Sequence, residues 1–398
     1  MSLQYLQDFD SNSAHEDVVL TTCWTRHGVV VTGSLAGDIR VWDAANGQQI
    51  AGSSKPTSPH IVGINSLSVS QDQKRLLSSS VDGSVALWDI SNVKDDDDVE
   101  ERNAVATLKL IGKTSSLAGL SENKILHSQG DGSSTKQKGL ESFTAAIHPN
   151  GQQFATTGAW AAVSVYSCED EDGSRFAKPV IRMQTSPIST RANQPSGQIN
   201  GPFGTKLAFS ANGQLLAVGD DKGQVHLFDT STNKLVLKLA NHSAPIRALA
   251  FSGNSRIVDN LFIGGDDCII TIHDVRNIDG SPTGRSVGSL NSHKAWITDL
   301  QPSADGRLLA SSSLDGTIRI WDLKARPKAC VCTISQDSPP WALAWKATSE
   351  ISRQAVTNGS SSMTAASASA RDASAFVTGS EDGLVRWYRA AGVAPAET

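Results

Sequence analysis

Hydrophobic residues in this chain alternate with polar ones over short stretches and do not recur at helical spacing. Residues 39–43 read IRVWD and residues 85–89 read VALWD, and each stretch follows a run of small residues and a glycine-containing turn. Alternation with a period of two, bounded by such turns, is typical of β-hairpins. The pattern therefore predicts an all-β protein made of many short antiparallel strands.

One short phrase recurs along the chain. It consists of small residues, an Asp-Gly pair or a relic of one, alternating apolar residues, an aromatic residue and an Asp. In chain order, the copies end at Asp43, Asp89, Ser167, Asp229, Asp274, Asp322 and Arg389. The aromatic position is held by Trp42, Trp88, Tyr166, Phe228, His273, Trp321 and Tyr388.

The spacing of these copies predicts the architecture. Successive aromatic positions are 46, 78, 62, 45, 48 and 67 residues apart. The shorter intervals are close to the ~40–45-residue period of a four-stranded propeller blade, and the longer ones contain insertions. An apolar strand before most copies and an outer strand after them, as in KLVLKLA, complete four strands per unit. Seven copies predict one seven-bladed β-propeller over residues 1–398.

Two of the copies share a histidine at a fixed distance. His60 precedes Asp82 by 22 residues and Trp88 by 28, and the same intervals join His293 to Asp315 and Trp321. With a serine of the middle strand, each set can form a hydrogen-bonded chain that ties the incoming loop to the hairpin turn. The alternative is a Ser-His-Asp catalytic triad, but a triad would not occur twice and has no role for the tryptophan. We interpret all six residues as structural staples.

These residues make the chain resemble the WD-repeat family of β-propellers. The literal Trp-Asp pairs at 42–43, 88–89 and 321–322 and the two His/Asp/Trp sets carry the resemblance. The chain departs from the family pattern where Ala36-Gly37, Lys222-Gly223 and Trp160-Ala161 replace Asp-Gly, and it contains no Gly-His pair. The resemblance implies the same fold that the repeats predict.

The two ends of the chain are expected to close the ring together. The last phrase ends at Arg389, which leaves too little chain for an outer strand. The segment 3–9 can pair there and remove the open sheet edge. A disordered tail over residues 1–13 is the alternative.

Three long insertions are expected to be loops. Residues 91–103, with the acidic run 95–98, and the Ser/Ala-rich residues 349–375 should project from the bottom face. Residues 111–140 are interpreted as a loop on the top face, with a degraded extra hairpin as the alternative.

The loops, rim and channel remain for function, because a propeller buries its sheet faces between blades. In the geometry that the resemblance implies, the position five residues after the histidine slot opens on the top face. We expect partner contacts from such positions and from three neighbouring tryptophans, with inter-blade packing as the alternative for Phe143, Trp341 and Trp387. These partner-binding candidates are Leu20, Asn65, Phe143, Trp160, Thr205, Arg247, Trp296, Thr298, Trp341 and Trp387.

Composition argues against other classes of function. The net charge of −5 provides no general basic field for nucleic acid or anionic lipid. The sequence contains no GxxxxGK[ST] or HExxH motif, and its five cysteines do not have zinc-site or disulfide-framework spacing. No catalytic residue, cofactor or metal is therefore expected. The N-terminus lacks a signal-peptide pattern, so we expect a soluble protein in the cytoplasm and nucleus.

Over most of its length the chain resembles the WD-repeat subunits of the fungal superkiller complex, which supplies RNA to the exosome. The resemblance lies in AHEDVV (14–19), the passage from 141 to 166, and the ending VRWYRAAG (385–392), which replaces Trp-Asp by Tyr-Arg. It implies a non-catalytic scaffold for exosome-mediated 3′–5′ cytoplasmic mRNA decay. The implied partners are a tetratricopeptide subunit and a helicase subunit. Relatives in fungi also serve meiotic double-strand-break formation with a topoisomerase-like protein.

Two other classes of protein remain open. A WD-repeat adaptor of another complex, such as a ubiquitin-ligase substrate receptor or a signalling scaffold, would have the same fold, so only the partner distinguishes it. An enzyme built on a propeller is disfavoured because no acid, base or metal cluster converges on the channel.

Overall fold

The chain folds into seven antiparallel sheets that follow one another along the sequence. The computed structural model describes residues 4–53, 58–91, 93, 105–114, 142–168, 176–185, 201–252, 260–276, 285–347 and 375–391. Within these residues there are 29 strands, and every sheet has four strands except the first, which has five. Each sheet is one blade, with its innermost strand beside the central channel.

The first three blades use the chain up to residue 183. Blade 1 comprises β2 (Val19–Trp24), β3 (Val29–Ser34), β4 (Ile39–Asp43) and β5 (Gln49–Gly52). Blade 2 comprises β6 (Ile64–Val69), β7 (Arg75–Ser80), β8 (Val85–Asp89) and β10 (Lys109–Thr114). The strand β9 (Ala106–Thr107) pairs in parallel with β5 as the fifth strand of blade 1. Blade 3 comprises β11 (Thr144–Ile147), β12 (Gln153–Thr157), β13 (Val163–Ser167) and β14 (Lys178–Met183).

The last four blades complete the ring. Blade 4 comprises β15 (Gly204–Phe209), β16 (Leu215–Asp220), β17 (Val225–Asp229) and β18 (Lys234–Leu239). Blade 5 comprises β19 (Ile246–Phe251), β20 (Asn260–Gly265), β21 (Ile269–Asp274) and β22 (Arg285–Asn291). Blade 6 comprises β23 (Ile297–Pro302), β24 (Leu308–Ser313), β25 (Thr317–Asp322) and β26 (Ala329–Ser335). Blade 7 comprises β27 (Pro340–Trp345), β28 (Ala375–Ser380), β29 (Val385–Ala390) and β1 (Tyr5–Asp10).

Blade 7 takes strands from both ends of the chain, as the sequence predicts. The strand β1 pairs antiparallel with β29, from Tyr5 opposite Ala390 to Asp10 opposite Arg386. Tyr5 is buried against the rings of Trp345 and Phe376, with centroids 5.9 and 5.2 Å away. The seven-bladed all-β propeller closed by terminal strands is therefore confirmed.

The insertions differ in part from their predicted bounds. Residues 111–114 belong to the outer strand of blade 2, where Leu110 lies opposite Trp88, so this part of the predicted loop 111–140 is wrong. The remainder, 115–140, lies outside the described residues, as do most of 91–103 and nearly all of 349–375. The sequence could not place β10, because a 13-residue insertion separates it from the hairpin that it completes.

Neighbouring blades approach closely at one repeated position, the fifth residue of the second strand. This residue faces the first residue of the next blade's innermost strand. In blade 5 a Cβ at Gly264 would lie 2.8 Å from Cγ2 of Ile297, and in blade 4 a Cβ at Gly219 would lie 2.6 Å from Cγ2 of Ile246. Such distances leave no room for a side chain, so these glycines are required by packing.

Blade 3 reverses this arrangement. Its second strand has Thr157 at the fifth position, and the next innermost strand begins with Gly204, where a Cβ would collide with the threonine side chain. One small and one branched residue therefore meet at this contact too, with their places exchanged. The space between blades is therefore similar at the three contacts, although different residues fill it.

Hydrogen-bonded staples hold the incoming loop of a blade to its hairpin. In blade 6 the hydroxyl of Ser311 accepts the indole N–H of Trp321 at 2.9 Å and bonds Nε2 of His293 at 2.8 Å. Nδ1 of the same histidine bonds Asp315 at 3.0 Å. A neutral imidazole satisfies all of these bonds, and burial lowers the pKa of His293.

The staple of blade 2 differs from the predicted one in its carboxylate. His60 bonds Ser78 through Nε2 at 2.7 Å, but its Nδ1 bonds the hydroxyl of Ser84, also at 2.7 Å. Asp82 instead accepts the backbone N–H groups of Ile61 and Ser84. Ser84 replaces the carboxylate because it directly precedes the third strand, where its hydroxyl lies beside the imidazole.

Three further staples were missed by the sequence analysis. His15 bonds Asp38 and Thr32 in blade 1, and Trp42 donates to the same threonine. Asp38 stands four residues before the tryptophan instead of six, which hid the pattern. In blade 5 His242 bonds Asp267 and Thr271. In blade 7 Gln336 takes the histidine position and donates to Thr378 and Tyr388. The insertion 349–375 separates Gln336 from these two residues, so the usual spacing is not visible in the sequence.

Blade 5 also buries a second histidine in the position that tryptophan holds in blades 1, 2 and 6. His273 is fully buried, and neither ring nitrogen has a hydrogen-bond partner among the described residues. The fourth residue of the second strand, which is a serine in blades 2 and 6, is Ile263 here and offers no hydroxyl. Burial, and then the neighbouring His242, lower the pKa of His273 to about 4.

The contact between blades 5 and 6 predicts a coupled pair of substitutions. Gly264→Ala should lower the free energy of unfolding by about 1–3 kcal/mol, because its Cβ forces Ile297 to move. In a chain that already carries Ile297→Ala, the same change should cost much less. Urea unfolding of the four chains measures this coupling. Gly288→Ala is the control, since nothing lies within 4 Å of its Cβ. An equal cost of Gly264→Ala in both backgrounds would contradict the packing argument.

His273 predicts a loss of stability in mild acid. Its pKa in the folded chain lies below that in the unfolded chain, so the unfolded chain binds more protons between about pH 6.5 and pH 4. The free energy of unfolding should therefore fall across this window as the pH drops, by roughly 3 kcal/mol from this residue. His273→Phe should remove that part, while the exposed control His27→Gln should not. Denaturant titrations at several pH values measure the free energy of unfolding of the unaltered chain and the two variants. Parallel dependence on pH in all three chains would refute the prediction.

Candidate partner-binding surface on the top face

The top face is the end of the ring that carries the second-to-third-strand turns and the connections into the innermost strands. Six of the ten residues predicted to face a partner there share one backbone feature. In six blades the register between the first two strands shifts between the first and third residues of the innermost strand. A β-bulge of this kind re-aims a side chain. The residues at the shifts are Leu20, Asn65, Thr205, Arg247, Thr298 and Trp341.

Three of these side chains link neighbouring blades through hydrogen bonds. Asn65 donates to the carbonyl of Phe143, and Thr205 donates to the carbonyl of Ile246. Thr298, which is buried, donates to the carbonyl of Pro340 at 2.8 Å. These residues belong to blades 2, 4 and 6, and each acceptor belongs to the following blade. Thr298 is buried, so its assignment to the binding surface is wrong. Asn65 and Thr205 are half-buried, and partner binding by these two stays a prediction.

The odd-numbered blades carry larger side chains at the same place. Leu20, Phe143, Arg247 and Trp341 are all half-buried. The ring of Phe143 packs edge-on against Phe203 with centroids 5.2 Å apart. The indole N–H of Trp341 is buried and has no acceptor among the described residues. Large and small side chains therefore alternate from blade 1 to blade 7, and two large ones, Trp341 and Leu20, meet where the ring closes.

The Arg–Trp cluster on this face is formed by Arg247, Asp266 and Trp296. Asp266 binds the guanidinium in a fork, with oxygens 2.5 Å from Nε and 3.0 Å from Nη2 of Arg247. The guanidinium carbon lies 4.6 Å from the ring centroid of Trp296, a cation–π distance. Trp296 remains 41% exposed, so an oriented arginine lies beside an accessible aromatic residue.

The other two candidate tryptophans differ in exposure. Trp160 is half-buried in a hairpin turn with φ of +65°, and its ring covers Gly201. Trp387 is only 2% exposed and stacks on Phe9 with centroids 5.0 Å apart. Its assignment to the binding surface is wrong. Both faces of a blade are buried by neighbouring blades, so Trp387 packs towards blade 1 while Tyr388 packs towards blade 6.

A second exposed group on the top face was not predicted. We call it the apolar patch: Leu35, Ile61 and Val62, which are 42%, 85% and 44% exposed. Leu35 lies in a turn of blade 1 against Gly63, where a Cβ would be 2.6 Å from its Cδ1. The signal in the sequence was a large apolar residue inside a turn and two more beside His60. Exposed apolar side chains grouped in this way are typical of interaction sites.

The innermost strands enclose a central channel of about 550 Å³. Asp299 lines it and accepts the backbone N–H groups of Leu300 and Leu343 at 2.8 and 3.0 Å. Burial raises the pKa of Asp299, an effect that Lys206 on another blade opposes. In the described residues, no three His, Cys, Asp or Glu side chains are placed to hold a metal ion. No helix there is long and apolar enough to cross a membrane.

Comparison with known proteins identifies the repeats. The family described as WD domain, G-beta repeat matches residues 53–89 and 284–322, and the anaphase-promoting complex subunit 4 WD40 domain matches residues 196–254. Anaphase-promoting complex subunit cdh1 of Dictyostelium discoideum is 33% identical over 138 residues, which cover 35% of this chain and 17% of that protein. Echinoderm microtubule-associated protein-like 2 of Mus musculus is 26% identical over 80% of this chain and 45% of that protein. The chain therefore spans less than half the length of each of these relatives.

A solved structure is similar over nearly the whole fold. The Cps50 (Swd1) β-propeller domain of Myceliophteria thermophila matches with a TM-score of 0.65 and 16% sequence identity, covering 97% of this chain and 99% of that one. Propellers with WD40 repeats are generally non-catalytic scaffolds that bind other proteins. From the family matches and the seven four-stranded sheets together, the chain carries WD40 repeats and folds as a seven-bladed β-propeller.

Proposed function

We propose that this protein is a non-catalytic scaffold subunit of the superkiller complex. It would support exosome-mediated 3′–5′ decay of mRNA by holding a tetratricopeptide subunit and a helicase subunit. The choice of complex rests on the three passages at 14–19, 141–166 and 385–392. The proposal includes a second role in meiotic double-strand-break formation, with a topoisomerase-like partner. It also includes a location in both cytoplasm and nucleus.

The exposed top face is the observation that carries the scaffold role. The Arg–Trp cluster between blades 5 and 6 and the apolar patch between blades 1 and 2 present an oriented guanidinium, an exposed indole and three exposed aliphatic side chains. Aromatic residues and arginine are the types that dominate binding energy at protein interfaces. Two separate groups on one face suit an extended peptide segment, or two segments from different partners.

A second candidate function is an adaptor of another complex. The local match to anaphase-promoting complex subunit cdh1 favours it, although the match covers only 17% of that protein. An adaptor would use the same top face, so purification with partner identification separates the two functions. A helicase and a tetratricopeptide protein support the superkiller assignment, and cullin-type ligase subunits in their place would overturn it.

Substitutions on the top face should weaken partner binding without unfolding the ring. Trp296→Ala combined with Arg247→Glu should reduce affinity for the tetratricopeptide subunit by about thirtyfold, the effect of losing an interface residue worth about 2 kcal/mol. Ile61→Asp should act in the same direction, because it places a charge in the apolar patch. Titration of purified partner in an equilibrium binding assay measures both effects.

Matched substitutions on the rim serve as controls. Lys238→Glu makes a comparable change of charge on the outer strand of blade 4, and Val180→Asp places a charge at an exposed apolar site of blade 3. Both should bind the partner like the unaltered chain. Unchanged binding by the top-face variants would refute the proposed surface. Equal losses in the rim variants would show that it is not specific to the top face.

A further inference from the structure

The bottom rim between blades 5 and 6 contains a basic pocket of about 500 Å³. It lies at the end of the ring opposite the Arg–Trp cluster, where the third strand of each blade turns into the fourth. We define the basic pocket by the side chains that give it its charge and its edges: Asp274, Arg276, Lys324, Arg326 and Lys328. Four of these five are cationic, in a chain whose net charge is −5.

The carboxylates that end the third strands of blades 5 and 6, beside the basic pocket, both have partners. Asp274 binds the guanidinium of Arg276 in a fork, at 3.0 Å to Nε and 2.6 Å to Nη2. Asp322 accepts the backbone N–H groups of Lys324 and Ala325 at 2.9 and 3.2 Å and lies 3.5 Å from the guanidinium of Arg307. Each carboxylate therefore pairs with an arginine outside the turn, and neither forms an ion pair with Lys324, Arg326 or Lys328.

Three cations come from this single turn. Lys324 and Arg326 are exposed and Lys328 is half-buried, and the described residues form no ion pair with any of them. The turn is anchored, because Leu323 donates its N–H to the carbonyl of Arg307 at 2.9 Å and its side chain packs on the core between blades 5 and 6. Holding like charges together without a counter-ion costs free energy, and binding an anion removes that cost.

The lining distinguishes between anionic ligands. Single-stranded nucleic acid binds through basic grooves that also display aromatic rings for base stacking. Phe262 is the aromatic residue of this lining, and it is fully buried. A small pocket with arginine and lysine but no stacking surface matches the recognition of a phosphorylated peptide side chain.

We propose that the basic pocket is a second partner-binding site, which takes a phosphorylated serine or threonine of a protein partner. Lys324, Arg326 and Lys328 would bind the phosphate, since the guanidinium of Arg276 is already paired with Asp274. The site is independent of the proposed function, since it lies on the other face of the ring and shares no residue with the top face. A partner could then be held at both faces, with phosphorylation controlling one contact.

Fluorescence anisotropy with labelled peptide libraries tests this site. The full chain is titrated with a library carrying a central phosphoserine, and with matched libraries carrying serine or glutamate there. We expect the phosphoserine library to bind at least tenfold more tightly than the serine library at 150 mM salt. Glutamate should be intermediate, because it carries a smaller charge. Equal binding of the phosphoserine and serine libraries would overturn the proposal.

Variants locate the site. Replacing Lys324, Arg326 and Lys328 together by alanine should abolish the preference for phosphoserine. The melting temperature should change little, because none of the three is buried and none forms an ion pair with the described residues. Alanine at Lys178, Lys234 and Lys238 removes the same charge from exposed outer-strand positions and should preserve the preference. Equal losses in both triple variants would show a general charge effect and refute the site. If a single-stranded RNA binds as tightly as the phosphopeptides, and only the Lys324/Arg326/Lys328 variant loses that binding, the pocket is a nucleic-acid site and the proposal is wrong.

Discussion

Close approach of neighbouring blades is the constraint on which the rest of this structure depends. At Gly264 and Gly219 the second strand has no space for a side chain, because a branched residue of the next innermost strand fills it. Blade 3 carries Thr157 at this position, and the innermost strand of blade 4 begins with Gly204. Seven sheets can close into a ring only if each contact holds about the same volume, so packing selects pairs of residues across blades and not single residues.

The staples show how the ring tolerates changes in chemistry. A buried hydroxyl accepts an indole N–H and bonds an imidazole in blades 1, 2 and 6, and glutamine replaces the histidine in blade 7. Each arrangement satisfies its buried polar groups, which is what stability requires of them. His273 in blade 5 is the exception, since its two nitrogens have no partner among the described residues. Its neutral form is the one compatible with burial.

Because the sheet faces are used for packing, the two ends of the ring carry the surfaces for recognition, and these differ in chemistry. The top face presents the apolar patch and an arginine held between Asp266 and Trp296. The bottom rim presents cations from one anchored turn, with the nearby carboxylates engaged elsewhere. A scaffold with an apolar surface at one end and a cationic one at the other can hold chemically different segments at the same time.

The sequence alone determined the seven hairpins, the closed ring and the His60 and His293 loops, because alternation, turns and intervals are local properties of the chain. It also pointed to the bulge positions of the innermost strands, such as Arg247. Only the tertiary structure decided that Asn65, Thr205 and Thr298 link blades and that Trp387 is buried, since a blade covers both faces of its neighbours. The basic pocket is likewise tertiary. It joins segments more than forty residues apart, Asp274–Arg276 and Lys324–Lys328, whose proximity follows from the packing of blade 5 against blade 6.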